Sequence, residues 1–400
     1  MKEKNIKVTE SKETVSTFDN ILRALKLRFL VRYNTRTNEF EVFDRRYHLK
    51  GWQVRNSKID NSIFLHLKNL SCGQVSKQDI DLLFTSEVEE YNDILEYFNS
   101  ISWQPNEKDY IHELGNTVQC EDQEYWFSEF KNWLVLMVGT MLNTDKDIVE
   151  GTTTVNSTIL TFIGKGGIGK TYWFNNLLPY QLRKYLKNGF SDLRTKDANI
   201  ALSRYALIKV DEIDTLSKQD KEKLAKIATD YSIEERIAYE KYDSKLVRIA
   251  SFCATTNCDD FLISGAQSNR RYSIHRVKSL NAEHGIDLDK VFAQAYYMFK
   301  NNEYINSQEY HSSRYDIVKE YEQTDLDFEM LSNTFIECEL KDNENWITAS
   351  EVYQILRSKG YTFSKDNTLS IGRLLTRLIK NPKNKKKTNG NIKYHLKQIR

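Results

Sequence analysis

Residues 161–174 read TFIGKGGIGKTYWF, four glycines and two lysines set between apolar flanks. Glycine lifts the steric bar to positive φ, so such a run lets successive backbone N–H groups turn toward one point. Gly164-Lys165-Gly166-Gly167-Ile168-Gly169-Lys170-Thr171 fits the spacing G-x-x-x-x-G-K-[ST] in full, and Tyr172 opens the helix-compatible run that follows. The spacing predicts a phosphate cradle: amides and a helix start around the anion, Lys170 on the β- and γ-phosphates of ATP, and the Thr171 hydroxyl on Mg²⁺. Upstream, STILTFIG is short, β-branched and uncharged, as a strand buried in a parallel sheet should be. Strand, glycine loop and helix in that order predict an α/β nucleotide-binding core.

A loop that hydrolyses its nucleotide also needs carboxylates at the end of a nearby strand. ALIKV (206–210) is strand-like, and Asp211-Glu212 follows at its C-terminal end, where open α/β sheets place their ligands. Asp211 is expected on the metal with Thr171, and Glu212 as general base or water orienter. RIASFCATTN (248–257) runs apolar and then ends in Thr255, Thr256 and Asn257, so Asn257 is expected at the γ-phosphate and the attacking water.

With 400 residues, 40% of them apolar, the chain can bury a sizeable core and is expected to form two or three domains. Charged residues are 28% of the chain but the net charge is only +2, so any nucleic-acid surface must be a local patch. Five cysteines without a C-x-x-C pair read as free thiols in a reducing compartment. The N-terminus lacks the apolar core of a signal peptide and no run reaches the ~18 apolar residues of a membrane span, so a cytoplasmic, nucleoid-associated protein without membrane contact is expected.

The first 115 residues suggest an α+β region. A helix carrying Phe18, Ile21, Leu22 and Leu25 precedes a hairpin turning at residues 34–38, and Ser76 and Asp79 form a capping box for a helix expected to carry Ile80, Leu83, Phe84, Tyr91 and Leu95 on one side. Residues 116–300 hold the core, beginning with a buried helix at about 124–142; 301–344 read as a helical connector and 345–400 as a separate module.

In combination, VRYNTRTNEF, YNDILEYFNSISW, FKNWLVLMVGTML, the glycine loop, KVDEID, ATTN and SNRRYSIHRV resemble the virulence-associated E (VapE) family of phage and mobile-element ATPases, within the superfamily 3 helicases. The resemblance covers about residues 25–300. It implies a P-loop core of AAA+ type whose subunits form a homo-oligomeric ring, with a hexamer the first count to test. Arg270 and Arg271 match the position of the arginine that completes a neighbour's site, and guanidinium suits developing phosphoryl charge. The family also implies a pore hairpin between the Asp-Glu strand and the Asn strand. Its candidate here is EERIAYEKYDSKLVR, with Arg236, Lys241, Lys245 and Arg248 on DNA phosphates and Tyr239 or Tyr242 stacking on bases, although the interleaved acids equally suit a solvated hairpin. Many relatives carry a primase domain ahead of this segment; the chain begins too close to it to hold one, so a separate primase is expected.

The C-terminal residues change character. WITASEVYQILRSKGY offers a helix capped by Thr348 or Ser350 and stopped at Gly360, TLSIGRLLTRLIK offers a second, and Asn389-Gly390 sits between strand-compatible flanks. That order predicts a winged helix. Residues 372–400 contain ten Lys or Arg and no acid. Arg373 and Arg377 are expected on the recognition helix, and Lys385, Lys386 and Lys387 along the wing, as contacts to DNA phosphates. These readings predict an ATP-driven helicase or replication initiator on single-stranded or forked DNA; the rival is a nucleotide-gated DNA-binding switch that unwinds nothing.

Overall fold

The computed structural model describes residues 17–70, 75–86, 88–189, 195–235, 244–305, 314, 317–322, 326–339, 345–363, 368–388 and 390–399. They divide into two compact units, one of residues up to Asn257 together with Arg270–Arg314, the other of Cys258–Asn269 with the residues after Arg314. No helix among the described residues is long and apolar enough to cross a membrane.

The first unit opens with helix α1 (Thr17–Arg28) and the hairpin β1 (Phe29–Asn34) and β2 (Glu39–Asp44), paired from Phe29↔Asp44 to Asn34↔Glu39. Asn34 fixes the turn by accepting from the Arg36 and Thr37 amides, and Asn38 takes the left-handed conformation that closes it. Strand β3 (Gln53–Val54), helix α2 (Ser57–Asn69) and helix α3 (Lys77–Ser86) follow; Ile21, Leu25, Phe29, Val42, Ile63, Leu67, Leu83 and Phe84 form this core. The Ser76–Asp79 capping box forms as expected, with the Ser76 amide donating to Asp79 at 2.7 Å. Its helix is shorter than expected. It stops at Ser86, and Tyr91 lies instead in β4 (Glu89–Tyr91), which pairs parallel with β1, while Leu95 belongs to α4 (Asp93–Ser100). Residue spacing alone could not register the break, because β4 forms by pairing with β1, which lies far away in sequence.

The same unit then builds a six-stranded sheet in the order β5-β12-β6-β11-β8-β7. Its strands are β5 (Val118–Cys120), β6 (Ile159–Ile163), β7 (Leu186–Asn188), β8 (Leu207–Val210), β11 (Ser251–Thr256) and β12 (Tyr272–Leu280). All but the edge strand β5 run parallel to their neighbours. β6, β8 and β11 are buried along their whole length, which explains their lack of charge apart from Lys209. Helix α6 (Gln123–Met141) supplies Trp126, Phe130, Trp133 and Met137 to the core against them, and α5 (Tyr110–Gly115), α7 (Asp145–Glu150), α8 (Lys170–Asn175), α9 (Lys196–Arg204), α10 (Lys218–Ile227) and α11 (Leu288–Lys300) complete the helical layers. Between β8 and β11 the chain makes the antiparallel pair β9 (Ser232–Glu235) and β10 (Ser244–Val247).

A polar knot lies inside this core. Glu129 and Arg314 pair, each about 1% exposed; Ser273 donates to Glu129 at 2.6 Å and lies 2.8 Å from His275 Nε2, and Arg314 donates to Thr158 at 2.9 Å. Burial, aided by the Arg314 charge, lowers the His275 pKa to about 3, so the folded chain holds a neutral imidazole. The unfolded chain takes up that proton below its ordinary value of ~6.5. Stability contributed by a neutral His275 is therefore present above that pH and lost as pH falls toward 3, at up to about 1.4 kcal/mol per pH unit. Thermal unfolding followed from pH 7 to pH 4.5 should show a shallower decline in His275→Gln than in wild type; equal slopes would contradict this assignment.

In the second unit, α12 (Leu326–Thr334), β13 (Phe335–Glu337), β14 (Trp346–Thr348), α13 (Ala349–Ser358), α14 (Thr368–Leu378), β15 (Lys385–Thr388) and β16 (Asn391–Gln398) enclose Leu331, Phe335, Val352, Leu356, Ile371, Leu375 and Tyr394. β13, β14 and β15 all pair antiparallel with β16. Thr348 rather than Ser350 caps α13, with Glu351 closing the box, and Gly360 follows it at φ +84°. The module extends beyond its expected boundary, because Leu331 and Phe335 of the expected connector fill its core.

Candidate functional site

At the C-terminal ends of β6, β8 and β11, residues far apart in sequence meet. The glycine loop leaves β6 between β12 and β11. Gly164 passes so close to β12 that a Cβ there would stand 2.5 Å from the Val277 carbonyl oxygen, which requires glycine. Gly169 takes φ +99° immediately before α8, a turn that an L side chain resists. α8 has only six residues, so the electrostatics of the loop rest on its amides and Lys170 more than on a helix dipole.

Lys170 is buried, and its Nζ donates to the carbonyls of Gly164 at 2.7 Å and Lys165 at 3.0 Å and to Asn257 Oδ1 at 2.9 Å. Burial lowers its pKa from the ordinary lysine value. The contact with Asn257 follows from strand order: β11 lies directly beside β6 with Thr256 opposite Ile163. β11 also separates β6 from β8, so the Asp-Glu strand is the second neighbour of the loop strand.

Asp211 nevertheless reaches the loop. Its Oδ1 accepts from Thr171 at 2.9 Å and from Thr255 at 3.1 Å, while Oδ2 pairs with Lys209 Nζ at 3.2 Å. Lys209, 1% exposed, also donates to Asn175 of α8 at 2.6 Å. Glu212, exposed, sits at φ 49° and ψ 52°, a left-handed conformation costly for a side-chain-bearing residue. The Thr215 amide and hydroxyl hold it there by donating to the Glu212 carbonyl at 2.9 and 2.8 Å. Thr256 ties the tip of β11 to Asp214 at 2.6 Å. Thr171 and Asp211 are the oxygen ligands that a hard divalent cation would use alongside phosphate and water.

Sequence reasoning missed Lys209, Thr255 and Asn175. A lysine inside the run ALIKV was the available signal: a charge in the middle of a fully buried strand demands a partner.

Other expected site residues lie elsewhere. Arg270 and Arg271 precede Tyr272, which is in register with Ile159 at the start of β6, so they flank the opposite end of the sheet from the loop. Arg271 donates to the Ala225 carbonyl at 2.6 Å. Arg248, expected on DNA, is fully buried: its guanidinium donates to the carbonyls of Ala250 and Ile227, both at 2.8 Å, and of Asp230 at 3.0 Å. It anchors the base of the β9–β10 pair and cannot meet a phosphate. Arg236, Lys241, Tyr239 and Tyr242 lie outside the described residues, as does the side chain of Lys245.

In the second unit Arg377, also expected on DNA, turns inward, donating to Ser264 at 2.8 Å with its guanidinium 3.8 Å from the Phe328 ring centre. Arg373 on the same helix is exposed. Lys385 donates to Thr376 at 3.0 Å, the Lys386 ammonium lies 3.7 Å from the Trp346 ring centre, and Lys387 is exposed along β15.

The sequence profile of the virulence-associated protein E-like domain matches residues 98–324, more than half of the chain and all of the loop, Asp-Glu and Asn positions. The chain belongs to the virulence-associated protein E-like family. Among solved structures, this family member is similar to the A form apo structure of the NrS-1 C terminal region (305-718), at 11% identity and TM-score 0.45 over 95% of this chain and 99% of that chain. A second A form apo structure of that region aligns at 12% identity and TM-score 0.43, covering 80% of this chain and 78% of that one. No curated protein sequence matches.

Proposed function

We propose that the chain is an ATP-hydrolysing motor acting on single-stranded or forked DNA, as a helicase or replication initiator of a phage or mobile element. One observation carries this reading: the Lys170 ammonium, the Thr171–Asp211 pair and Asn257 converge at one sheet edge from three separate strands. In this P-loop reading the amides of residues 164–169 and Lys170 hold the triphosphate, and Asn257 exchanges its bond to Lys170 for one to the γ-phosphate or the attacking water. Glu212 takes the proton from that water. Mg²⁺, when bound, neutralises developing phosphoryl charge, and Thr171 and Asp211 are the residues that would hold it.

A strand of five residues spans roughly 15 Å, so Arg270 and Arg271, at the far end of the sheet, serve a site on an adjacent protomer. A homo-oligomeric ring, hexameric or otherwise, provides that neighbour. The second unit supplies a winged-helix contact to duplex DNA through Arg373, Lys386 and Lys387, and a separate primase supplies primers.

The test is ATP hydrolysis with and without single-stranded DNA, together with displacement of a labelled strand from a fork. Hydrolysis stimulated by DNA, with displacement that Lys170→Ala abolishes, supports the motor. Slow hydrolysis without displacement would make the chain a nucleotide-gated switch instead, and no nucleotide binding would overturn both.

Lys209 is expected to act through Asp211 rather than on the nucleotide. Lys209→Met should raise the magnesium concentration needed for half-maximal hydrolysis by about tenfold or more, the range for partners that orient a metal ligand, with little change in binding of a fluorescent ATP analogue without magnesium. A proportionate loss of both would show a general packing defect.

A further inference from the structure

We propose that a cleft at the edge of the N-terminal sheet binds single-stranded DNA, one base against Tyr47 and the flanking phosphates at Lys50 and Lys58. This site is distinct from the nucleotide loop and does not rest on ATP hydrolysis. The cleft encloses about 270 Å³, with Phe29 and Val42 at its floor and Tyr47, Lys50, Gln53, Lys58 and Ser62 around it. Tyr47 is 55% exposed and interrupts its 3-10 turn at φ −123° and ψ 44°. The Lys50 ammonium lies 5.0 Å from its ring centre.

Residues 45–55, RRYHLKGWQVR, carry four Lys or Arg and no acid in a chain whose net charge is only +2. Arg45, Arg46, Lys50 and Lys58 are exposed. Among the described residues that line the cleft the one carboxylate is Asp44, and Arg28 neutralises it by donating to it twice at 2.9 and 2.6 Å. Cations around an exposed ring with amide and hydroxyl groups beside it match the phosphate, base face and base edge of a nucleotide. An exposed ring can stack only on a base that is not already paired and stacked in a duplex, so the occupant is a single strand. An acidic peptide would use the lysines and leave the ring idle.

The experiment measures binding of fluorescein-labelled oligothymidylate to the full chain by anisotropy, without nucleotide, in a Lys385→Glu/Lys386→Glu/Lys387→Glu background that silences the second unit. Tyr47→Ala should weaken binding by about fivefold or more, with Tyr47→Phe restoring it. Lys50→Gln/Lys58→Gln should reduce the slope of log affinity against log salt by about 1.4, two phosphates at ~0.7 each. An iododeoxyuridine strand should cross-link to the peptide that contains Tyr47. Affinities within twofold of wild type with no cross-link in residues 45–55 would overturn the proposal, as would equal competition by duplex or displacement by polyglutamate. Loss of hydrolysis in Lys170→Ala leaves this binding intact, so the two readings fail separately.

Discussion

Lys170→Ala is expected to hydrolyse ATP roughly two to three orders of magnitude more slowly than wild type, the cost of removing one preorganised donor from a developing oxyanion. Among the described residues Lys170 has three acceptors, two loop carbonyls and Asn257, and no carboxylate. Its charge is thus held by dipoles alone in a buried place, and its pKa is already lowered by desolvation. In the proposed function a triphosphate would supply the counter-charge, so the variant is expected to lose more in the bound state than in the fold. Losing three neutral-acceptor hydrogen bonds should cost stability only a few kcal/mol at most. Steady-state hydrolysis and thermal unfolding measured on the same preparation check both halves. Unchanged hydrolysis in a folded variant would remove the loop from the chemistry.

The largest stability effect is expected at Glu129 and Arg314. Both are about 1% exposed, and each anchors a further group, Ser273 on Glu129 and Thr158 on Arg314. Glu129→Ala strands a guanidinium in the core and Arg314→Ala strands a carboxylate, so either should cost about 3–5 kcal/mol. At roughly 2–4 °C per kcal/mol for a domain of this size, the midpoint should fall by at least about 6 °C. Glu129→Leu/Arg314→Met removes both charges and should recover a large part of the loss, whereas additive single costs would mean that the pair is not coupled. Since Arg314 reaches back from the end of the first unit to Glu129 on α6, this pair closes the core that carries the loop.

The local elements of this chain were legible where a side chain satisfies its own neighbourhood. Asn34 holds the hairpin turn through amides two and three residues on, and Ser76 and Thr348 each meet an acid three residues later. Such contacts are encoded within a single turn of chain, so spacing reveals them. The expected helix through Tyr91 and Leu95 failed because β4 earns its structure from β1, which lies far away in sequence. Arg248 and Arg377 show the same limit for function. Both belong to basic stretches, yet backbone carbonyls take one and Ser264 with Phe328 takes the other.

By itself the sequence determined the glycine loop, the acidic pair and the Asn-tipped strand, because backbone freedom and charge at a strand end leave a signature in residue type. Only the tertiary structure decided that β11 stands between β6 and β8, and with it that Asn257 meets Lys170 while Thr255 and Lys209 hold Asp211. Strand order follows from which buried faces pack together across the whole sheet, a sum over distant contacts that no short stretch of residues records.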